Sequence, residues 1–380
     1  MSAPYKENPV QLQSLAHGSS RVPNIYSRNV SEALYIGLML LREQGVWHGS
    51  RSGKVIEHPT PVVTIYRAPT ERVLFYSARD ANPFFHLFEA LWMLGGRNDL
   101  EYVAQFNKRM ADFSDDGVTL NGAYGQRWRS YWGRDQLDLL LEHFTQHPDS
   151  RRGVLQMWSV DDLQKIVDEA TCKDVPCNTQ VYFKIRKGTG SKLPHLAART
   201  RLDMTVTCRS NDIIWGTYGA NAVHFSILQE YMAARLGIPV GTYYHLSDSF
   251  HAYEDVFNST LAIVDQRNPG DPLWYDSYLG WNDGKHYTPP PMFTEPESID
   301  TDLQAFLSRA VWLCDDESPT YKNAFFGETA TPMLQAWYLY KHKNYDGAIA
   351  LMQKVRAKDW RKAGTEWIER RRKKWNSQKL

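Results

Sequence analysis

Cys177 is the residue of this sequence whose surroundings best suit a nucleophile. It follows Pro176 in a polar loop that leads into a predicted strand. A thiolate is a strong nucleophile, and cationic side chains nearby can keep the thiol ionised. A metal site is a weaker interpretation, because Cys172 and Cys177 form no CxxC pair and Gln180 breaks the Pro-Cys-x-x-Cys pattern of zinc deaminases. Taken alone, Cys177 could also be a small buried residue of the core.

Two arginine clusters could supply the cationic side chains. Arg151 and Arg152 lie in a turn before a predicted strand, and Arg209 and Ser210 come at the end of another. The guanidinium group matches phosphate oxygens in charge and geometry, and a serine hydroxyl can add a hydrogen bond. Either cluster alone could equally be a solvated group of surface charges. Beside a nucleophile, the two clusters favour a site for a phosphorylated ligand.

Glu89 is the one acid in a predicted helix, residues 83–94, that is otherwise almost entirely apolar. A buried carboxylate is costly unless it is hydrogen-bonded or used in chemistry. Such a position would raise the pKa of Glu89 and suit it to proton transfer. His251 and Tyr253 follow a polar run and could bond sugar hydroxyls, although a structural pair is an equal alternative on spacing alone.

The elements that must position these residues indicate an α+β fold. Apolar residues recur at helical spacing in four segments, and four others read as strands. The first predicted helix begins at residue 31 and is ended by Gly45, and the other predicted helices cover residues 83–94, 135–144 and 223–236. The predicted strands cover residues 154–158, 180–186, 202–208 and 240–246. Helices and strands do not alternate regularly, which is typical of α+β layers. The Gly/Ser-rich residues 49–53 are predicted to be a mobile loop.

Composition and charge exclude several classes of protein. The chain has 380 residues, and 44 Lys and Arg against 43 Asp and Glu give a net charge of +1. This balance argues against a protein that mainly coats nucleic acid or membrane. The apolar run near the start is too short to span a bilayer, and four cysteines make no disulfide framework. We therefore expect a cytoplasmic protein with reduced thiols.

The chain divides into three predicted regions. Residues 1–28 are polar and proline-containing and predict a loosely docked arm. Residues 29–284 carry the motifs and form the predicted catalytic domain. Residues 285–380 form a C-terminal extension that is proline-rich and loop-like to about residue 330, and helical with a basic tail thereafter.

Six motifs, in one order within residues 31–256, resemble the thymidylate synthase superfamily, which includes phage deoxypyrimidine-nucleotide hydroxymethylases. The motifs are Phe88-Glu89-Ala90-Leu91-Trp92, Asn121-Gly122-Ala123-Tyr124-Gly125-Gln126-Arg127-Trp128, Pro148-Asp149-Ser150-Arg151-Arg152, Pro176-Cys177, Arg209-Ser210-Asn211-Asp212 and Ser249-Phe250-His251-Ala252-Tyr253. Arg51, in its Gly/Ser loop, is a weaker match. One motif could arise by chance, but not the whole series in family order. The resemblance implies a mixed β-sheet covered by helices, with an added C-terminal helical region.

The resemblance also implies a covalent, folate-dependent reaction. Cys177 would add to C6 of a pyrimidine nucleotide and make C5 a nucleophile towards the methylene group of 5,10-methylenetetrahydrofolate. Glu89, Tyr124 and Asp212 complete the implied catalytic set, in which Glu89 moves protons. No metal is implied.

The implied binding residues come from two subunits. The twin arginines would reach across a homodimer to the partner's phosphate. The residues implied to bind the nucleotide are Arg51, Arg151, Arg152, Arg209, Ser210, Asn221, His251 and Tyr253, and those on the folate side are Trp92, Met110 and Asp212.

Departures from the methylating pattern favour hydroxymethylation. Met110 and Phe113 stand where thymidylate synthases usually carry two tryptophans, and the smaller methionine could admit water to the methylene group. Asn178 follows Cys177, where methylating enzymes favour histidine, and the short apolar C-terminus of the family is missing from the sequence. Thymidylate synthase activity remains the alternative.

The choice of base depends on one amide. Asparagine can donate to O4 and accept from N3–H of uracil, whereas aspartate suits the amino group of cytosine. Counting from Gly216 places Ala220 at this position, and counting back along the helix that contains Val223 places Asn221 there, with one residue inserted in the loop. Insertions belong in loops, so Asn221 and deoxyuridylate (dUMP) are predicted. Hydroxymethylation of dCMP or CMP remains an alternative.

Two other classes of function remain open. A hydrolase would pair Cys177 with His245 or His251, but it leaves Glu89 and the arginines without a role. A nucleic-acid-binding protein would use the basic tail, residues 370–374, which is more simply a solvated helix face. For an enzyme of the resembled kind, the partners are a pyrimidine nucleotide and folate, in the cytoplasm, or in that of the host if a phage encodes it.

Overall fold

The computed structural model describes residues 22–77, 79–168, 172–188, 200–265, 278, 286–309 and 319–377. Most of the predicted N-terminal arm, Cys314 and the predicted boundary between residues 284 and 285 lie outside these residues. The strands are β1 Asn24–Ser27, β2 Val46–Ser50, β3 Gly53–Glu57, β4 Val62–Tyr66, β5 Val154–Gln156, β6 Asn178–Arg186, β7 Arg201–Asp212 and β8 Val240–Tyr253. The α-helices are α1 Val30–Gln44, α2 Pro83–Leu94, α3 Leu100–Ala104, α4 Tyr124–Arg129, α5 Gln136–Gln146, α6 Val160–Asp168, α7 Asn221–Arg235, α8 Glu254–Asp265, α9 Ile299–Arg309, α10 Thr331–Lys341, α11 Tyr345–Met352 and α12 Lys358–Ser377.

The eight strands of the described residues form one mixed sheet in the order β1-β4-β8-β7-β6-β5, with the β2–β3 hairpin joined to β8 through β3. Strands β1 and β4 are parallel, as are β7 and β8, and the other pairs are antiparallel. The predicted α+β class is therefore confirmed. The sheet brings the end of β7 beside the end of β8 and the start of β6, where three of the six motifs lie.

Helices α2 and α7 pack against each other, and α7 also packs against β7 and β8. Both are buried on nearly every face, including their polar residues. Asn82 caps α2 by accepting hydrogen bonds from two backbone N–H groups of the first turn, and Pro83 occupies the first helical position. This local chemistry explains why the predicted bounds of α2 match the structure.

Three sequence predictions are wrong in detail. The stretch predicted as a loop, residues 49–53, is the tip of the β2–β3 hairpin, where Gly53 has a φ of +123°. Residues 24–27, assigned to the loosely docked arm, form β1 beside β4. Residues 299–309 form α9 inside the region predicted to be loop-like, because Ile299, Leu303 and Phe306 recur at helical spacing and are buried.

The C-terminal helices complete the hydrophobic core. The Phe84 ring in α2 lies 5.4 Å from the Trp337 ring and 5.7 Å from the Trp367 ring, measured between centroids. The basic residues Arg370 and Arg371 of α12 form ion pairs with Asp80. These two arginines of the basic tail are therefore engaged within the chain, whereas Lys373 and Lys374 are exposed.

In the described residues, no helix combines the length and the apolar character needed to cross a membrane.

Asp359, in the first turn of α12, makes stability depend on pH. Its side chain is buried, and burial raises its pKa to about 6 from an ordinary 3.8. The folded chain therefore holds a proton that the unfolded chain releases between these values, and the free energy of unfolding should fall as pH rises through this window. A pKa difference of this size corresponds to about 3 kcal/mol. Urea unfolding of Asp359→Asn should show the variant gaining stability over the wild type as pH rises from 4 to 7.

Asp346→Asn is the control, because Asp346 is an exposed aspartate and its side chain is 89% accessible. The difference in free energy of unfolding between Asp346→Asn and the wild type should stay nearly constant over the same pH range. If the stability difference between Asp359→Asn and the wild type were equally independent of pH, the interpretation of Asp359 as a buried, protonated carboxyl group would be wrong.

Candidate active site

The Cys177 loop is held by Arg209 from the neighbouring strand β7. The Arg209 Nε donates to Pro176 O at 3.0 Å, and Nη2 donates to Val175 O at 3.2 Å. The same Nη2 lies 3.8 Å from Cys177 Sγ, and the Arg209 backbone N–H donates to Cys177 O at 2.9 Å. Arg209 therefore fixes both the loop and the electrostatic environment of the thiol.

The charges around Cys177 oppose one another. Burial raises the pKa of the thiol, the positive charge of Arg209 lowers it, the carboxylate of Asp174 raises it, and the charge of Arg51 lowers it. Arg51 lies at the exposed tip of the β2–β3 hairpin. Because burial dominates in the single chain, further positive charge near Sγ would be needed to populate the thiolate at neutral pH.

Tyr124 and Cys177 are linked through Asn178 to a buried histidine. The backbone N–H and Nδ2 of Asn178 donate to the Tyr124 hydroxyl at 3.3 and 2.9 Å. Asn178 Oδ1 lies 3.1 Å from His245 Nε2, and His245 Nδ1 lies 3.0 Å from the Tyr243 hydroxyl. Burial lowers the pKa of His245 to about 3. The imidazole is therefore neutral at physiological pH and a poor base for a Cys–His hydrolase.

The hydrogen-bond network that joins Tyr124, Asn178 and His245 continues through Asn211 to Asn221. Asn211 Nδ2 donates to Ser247 Oγ at 2.8 Å and lies 3.1 Å from His245 Nε2. Asn221 Nδ2 donates to Asn211 Oδ1 at 3.2 Å, at the start of α7. Residues Ile213–Ala220 form a π-helical segment before it. A π-turn accommodates one extra residue, and this segment contains the residues in which the insertion ahead of Asn221 is predicted.

Glu89 meets a histidine that the sequence analysis did not single out. Glu89 Oε2 lies 2.9 Å from Nε2 of His224 on α7, and both side chains are buried. No other polar contact of Glu89 occurs among the described residues. The signal in the sequence was present, because His224, like Glu89, is a polar residue inside an apolar helix.

The ends of β7 and β8 place the remaining polar residues side by side. Asp212 pairs in register with His251, and Ser210 with Ser249. Asp212 Oδ1 accepts two backbone N–H groups of the following segment, while Oδ2 has no hydrogen-bond partner among the described residues. Burial raises the pKa of Asp212. His251 Nδ1 lies 3.0 Å from Ser249 Oγ, and the His251 and Tyr253 rings meet edge-on at 5.7 Å.

Four predicted site residues lie apart from this group. Arg151 and Arg152 are exposed in the turn before β5, and no described hydrogen bond or ion pair connects their guanidinium groups to Cys177. Met110 is half-buried on a short 3₁₀ helix and packs against the core. Trp92 is 1% exposed and donates from Nε1 to Asp99 Oδ1 at 3.2 Å. Its ring lies in the core, so the structure does not offer it as a folate-binding surface.

No group of three or more His, Cys, Asp or Glu side chains in the described part of the chain is arranged to hold a metal ion.

Comparison with known proteins places this site in a family. Residues 64–273 match the family model described as thymidylate synthase. The deoxyuridylate hydroxymethyltransferase of Pseudomonas phage M6 is 44% identical over 93% of this chain and 96% of its own length. Proteins of the same name from Bacillus phage SP01 and Delftia phage PhiW-14 are 38% and 28% identical, over 55% and 65% of this chain and 54% and 68% of their own lengths. With a family model that matches more than half of the chain and near full-length similarity to the M6 protein, this chain belongs to the thymidylate synthase family.

Proposed function

We propose that this protein is a deoxyuridylate hydroxymethyltransferase that takes its one-carbon unit from 5,10-methylenetetrahydrofolate. The observation that carries this proposal is the 44% identity, over nearly the full length of both chains, to a relative of that name. The contact between Arg209 and Cys177 supports it chemically, because it places a cation beside a nucleophile. The relatives belong to phages, so we expect the protein in the cytoplasm of an infected cell.

The nucleotide phosphate is proposed to bind Arg209 and Arg51, with Arg151 and Arg152 coming from the second subunit of a homodimer. In the single chain, Arg151 and Arg152 are exposed and point to no site of their own. If they reach a partner's site, they also add the positive charge that the half-buried Cys177 thiol lacks. The ribose would lie against His251 and Tyr253.

The hydrogen bond of Asn221 supports uracil as the base. Its Nδ2 donates to Asn211 Oδ1, which orients the amide. An amide held in this way keeps one N–H to donate to O4 and its oxygen to accept from N3–H of uracil. Cytosine presents the opposite pattern at both positions, so dCMP should be the poorer substrate.

The residues around Cys177 suit a covalent sequence. The folate supplies the one-carbon unit at the oxidation level of formaldehyde. Cys177 Sγ adds to C6, C5 takes up the methylene group, and Glu89 serves as the acid and base for the protons that leave and enter the base. Buried, unpartnered Asp212 Oδ2 is a polar group available to the pterin, which fits the proposed folate side of the site.

The product depends on whether water or hydride reaches the exocyclic methylene group. Met110, on the 3₁₀ helix of residues Lys108–Phe113, is proposed to leave room for water where methylating relatives place a larger ring. The product then carries a hydroxymethyl group and the folate leaves as tetrahydrofolate. Reductive methylation would instead oxidise the folate to dihydrofolate.

Mass spectrometry of the nucleotide product tests the proposal. With dUMP and methylenetetrahydrofolate, we expect a product heavier by one CH₂O unit, no dihydrofolate, and little product from dCMP. A product heavier by CH₂ with dihydrofolate would make the protein a thymidylate synthase. Preference for dCMP would overturn the role of Asn221 as a uracil-reading residue.

A further inference from the structure

His224 and Glu89 form a buried pair between α7 and α2. The side chains are 3% and 7% exposed, and His224 Nε2 lies 2.9 Å from Glu89 Oε2. The two atoms are close but not aligned as a hydrogen bond, and His224 Nδ1 has no hydrogen-bond partner among the described residues. Buried polar atoms are nearly always paired. An incompletely paired acid and imidazole therefore suggest a role that is completed when a ligand or water enters.

The helix register places this pair beside Asn221, the proposed uracil-reading residue. His224 follows Asn221 by three residues on α7, so both project from the same face of the first turn. Asn221 is the proposed uracil-reading residue and Glu89 the proposed acid and base. His224 thus lies one helical turn from the proposed uracil-reading residue and contacts the proposed proton-transfer group.

The other groups that face the pair are His86 and Arg79. His86 precedes Glu89 by one turn of α2, and burial, with the charges of Arg79 and His224, holds its pKa well below the usual value. Arg79 is engaged elsewhere, since its Nε donates to Ile214 O at 2.8 Å. His86 is therefore neutral, and among the described residues His224 is the polar neighbour that contacts the Glu89 carboxylate.

We propose that His224 is a positioning residue that holds the Glu89 carboxylate in place to accept the proton of the water that becomes the hydroxymethyl oxygen. The inference rests on the proposed function. In this step the water oxygen bonds to the exocyclic methylene carbon, its proton passes to Glu89, and the displaced electron pair moves through C5 to O4. The bond between Cys177 Sγ and C6 then breaks and C5=C6 is restored, so no oxidant or reductant is required.

Two variants that differ by one methylene group test this role. The amide nitrogen of His224→Gln can stand where the imidazole Nε2 stands, whereas the amide of His224→Asn is too short to reach Glu89 Oε2. We expect His224→Asn to lower kcat by roughly 100-fold, the lower part of the range for positioned proton transfer, with the KM for dUMP within about threefold. His224→Gln should keep kcat within about tenfold of the wild type.

Trapping with 5-fluoro-dUMP separates this role from folding and binding. Fluorine at C5 cannot leave as a proton, so the folate is not eliminated. Cys177 stays bonded to C6, and C5 stays bonded through the methylene group to the folate, so the intact protein mass increases by the nucleotide and methylenetetrahydrofolate together. We expect wild type, His224→Asn and His224→Gln all to form this adduct with methylenetetrahydrofolate. His58→Leu is the control for loss of a buried imidazole, because His58 is 5% exposed and its ring bonds Thr60 O and Gln44 Oε1, neither of which belongs to the proposed site.

The outcomes distinguish the two proposals. A wild-type protein that forms neither adduct nor product would overturn the proposed function itself. If the wild type reacts, the His224 proposal is overturned by a His224→Asn variant that turns over at the wild-type rate. It is also overturned if adduct formation is lost along with turnover, because His224 would then serve binding or folding.

Discussion

Replacing Cys177 by alanine is expected to lower kcat for hydroxymethylation by a factor on the order of 10⁴ or more, since no other group could form the bond to C6. The expectation follows from the position of Sγ, 3.8 Å from Arg209 Nη2 in a loop that Arg209 holds through two carbonyl groups. The same substitution should abolish the 5-fluoro-dUMP adduct. Product formation and intact protein mass, measured on the same preparation, give both results.

Cys172→Ala is the matched control for Cys177→Ala. Cys172 is a buried thiol in the same region of the chain, and its Sγ lies 4.0 Å from Asp115 Oδ2, where the proposed chemistry gives it no part. We expect this variant to keep near wild-type turnover and adduct formation. If Cys177→Ala turned over at more than one hundredth of the wild-type kcat, the covalent step would not be required. The proposed mechanism would then have to be abandoned.

The pKa of Cys177 connects this prediction to the proposed dimer. Burial raises the pKa of the thiol in the single chain, although Arg209 and Arg51 oppose it. A nucleophile in this state is mostly protonated at neutral pH. The exposed Arg151 and Arg152 would supply the missing positive charge if they come from a second subunit, so the arrangement favours a site that is fully reactive only when shared.

Signals in the local sequence predicted the bounds of α2 accurately. The strands that were not predicted depend on contacts between residues distant in sequence. Asn82, Pro83 and Gly95 mark the ends of α2 in the sequence itself, and the structure begins and ends the helix there. All five residues of β2 are exposed, so this strand has no apolar alternation to reveal it. Its pairing with β3, and that of β3 with β8, comes from the hairpin and from contacts distant in sequence.

The same distinction applies to the candidate site. The sequence motifs identified Cys177, Glu89 and Arg209 as site residues, because the residue types in the motifs and the order of the motifs can be read from one sequence. The contact between Glu89 and His224 depends on how α2 packs against α7, which periodicity does not specify. The network through His245 likewise joins β6, β7 and β8, and no spacing along the chain predicts it.

Arg127→Met is expected to lower the free energy of unfolding by about 3–5 kcal/mol, because it leaves Asp162 as a buried, unpaired charge. The two side chains are 0% and 1% exposed, and the Arg127 Nη1 and Nη2 donate to Asp162 Oδ2 and Oδ1 at 2.8 and 2.7 Å. Nη2 also donates to Asn121 O at 2.9 Å, and Nη1 to Met157 O at 3.3 Å. Urea unfolding at neutral pH measures the loss.

Arg356→Met is the control, since its pair with Glu328 is 58% and 54% exposed and such surface pairs contribute at most about 1 kcal/mol. An Arg127→Met loss as small as this would contradict the buried pair. Adding Asp162→Leu to Arg127→Met should restore part of the stability, because the orphaned charge is then removed. Product formation should not recover in parallel, because Arg127 also anchors the Asn121 carbonyl that precedes Tyr124. A double variant that is stable but slow would show that Arg127 orients the tyrosine of the site as well as stabilising the fold.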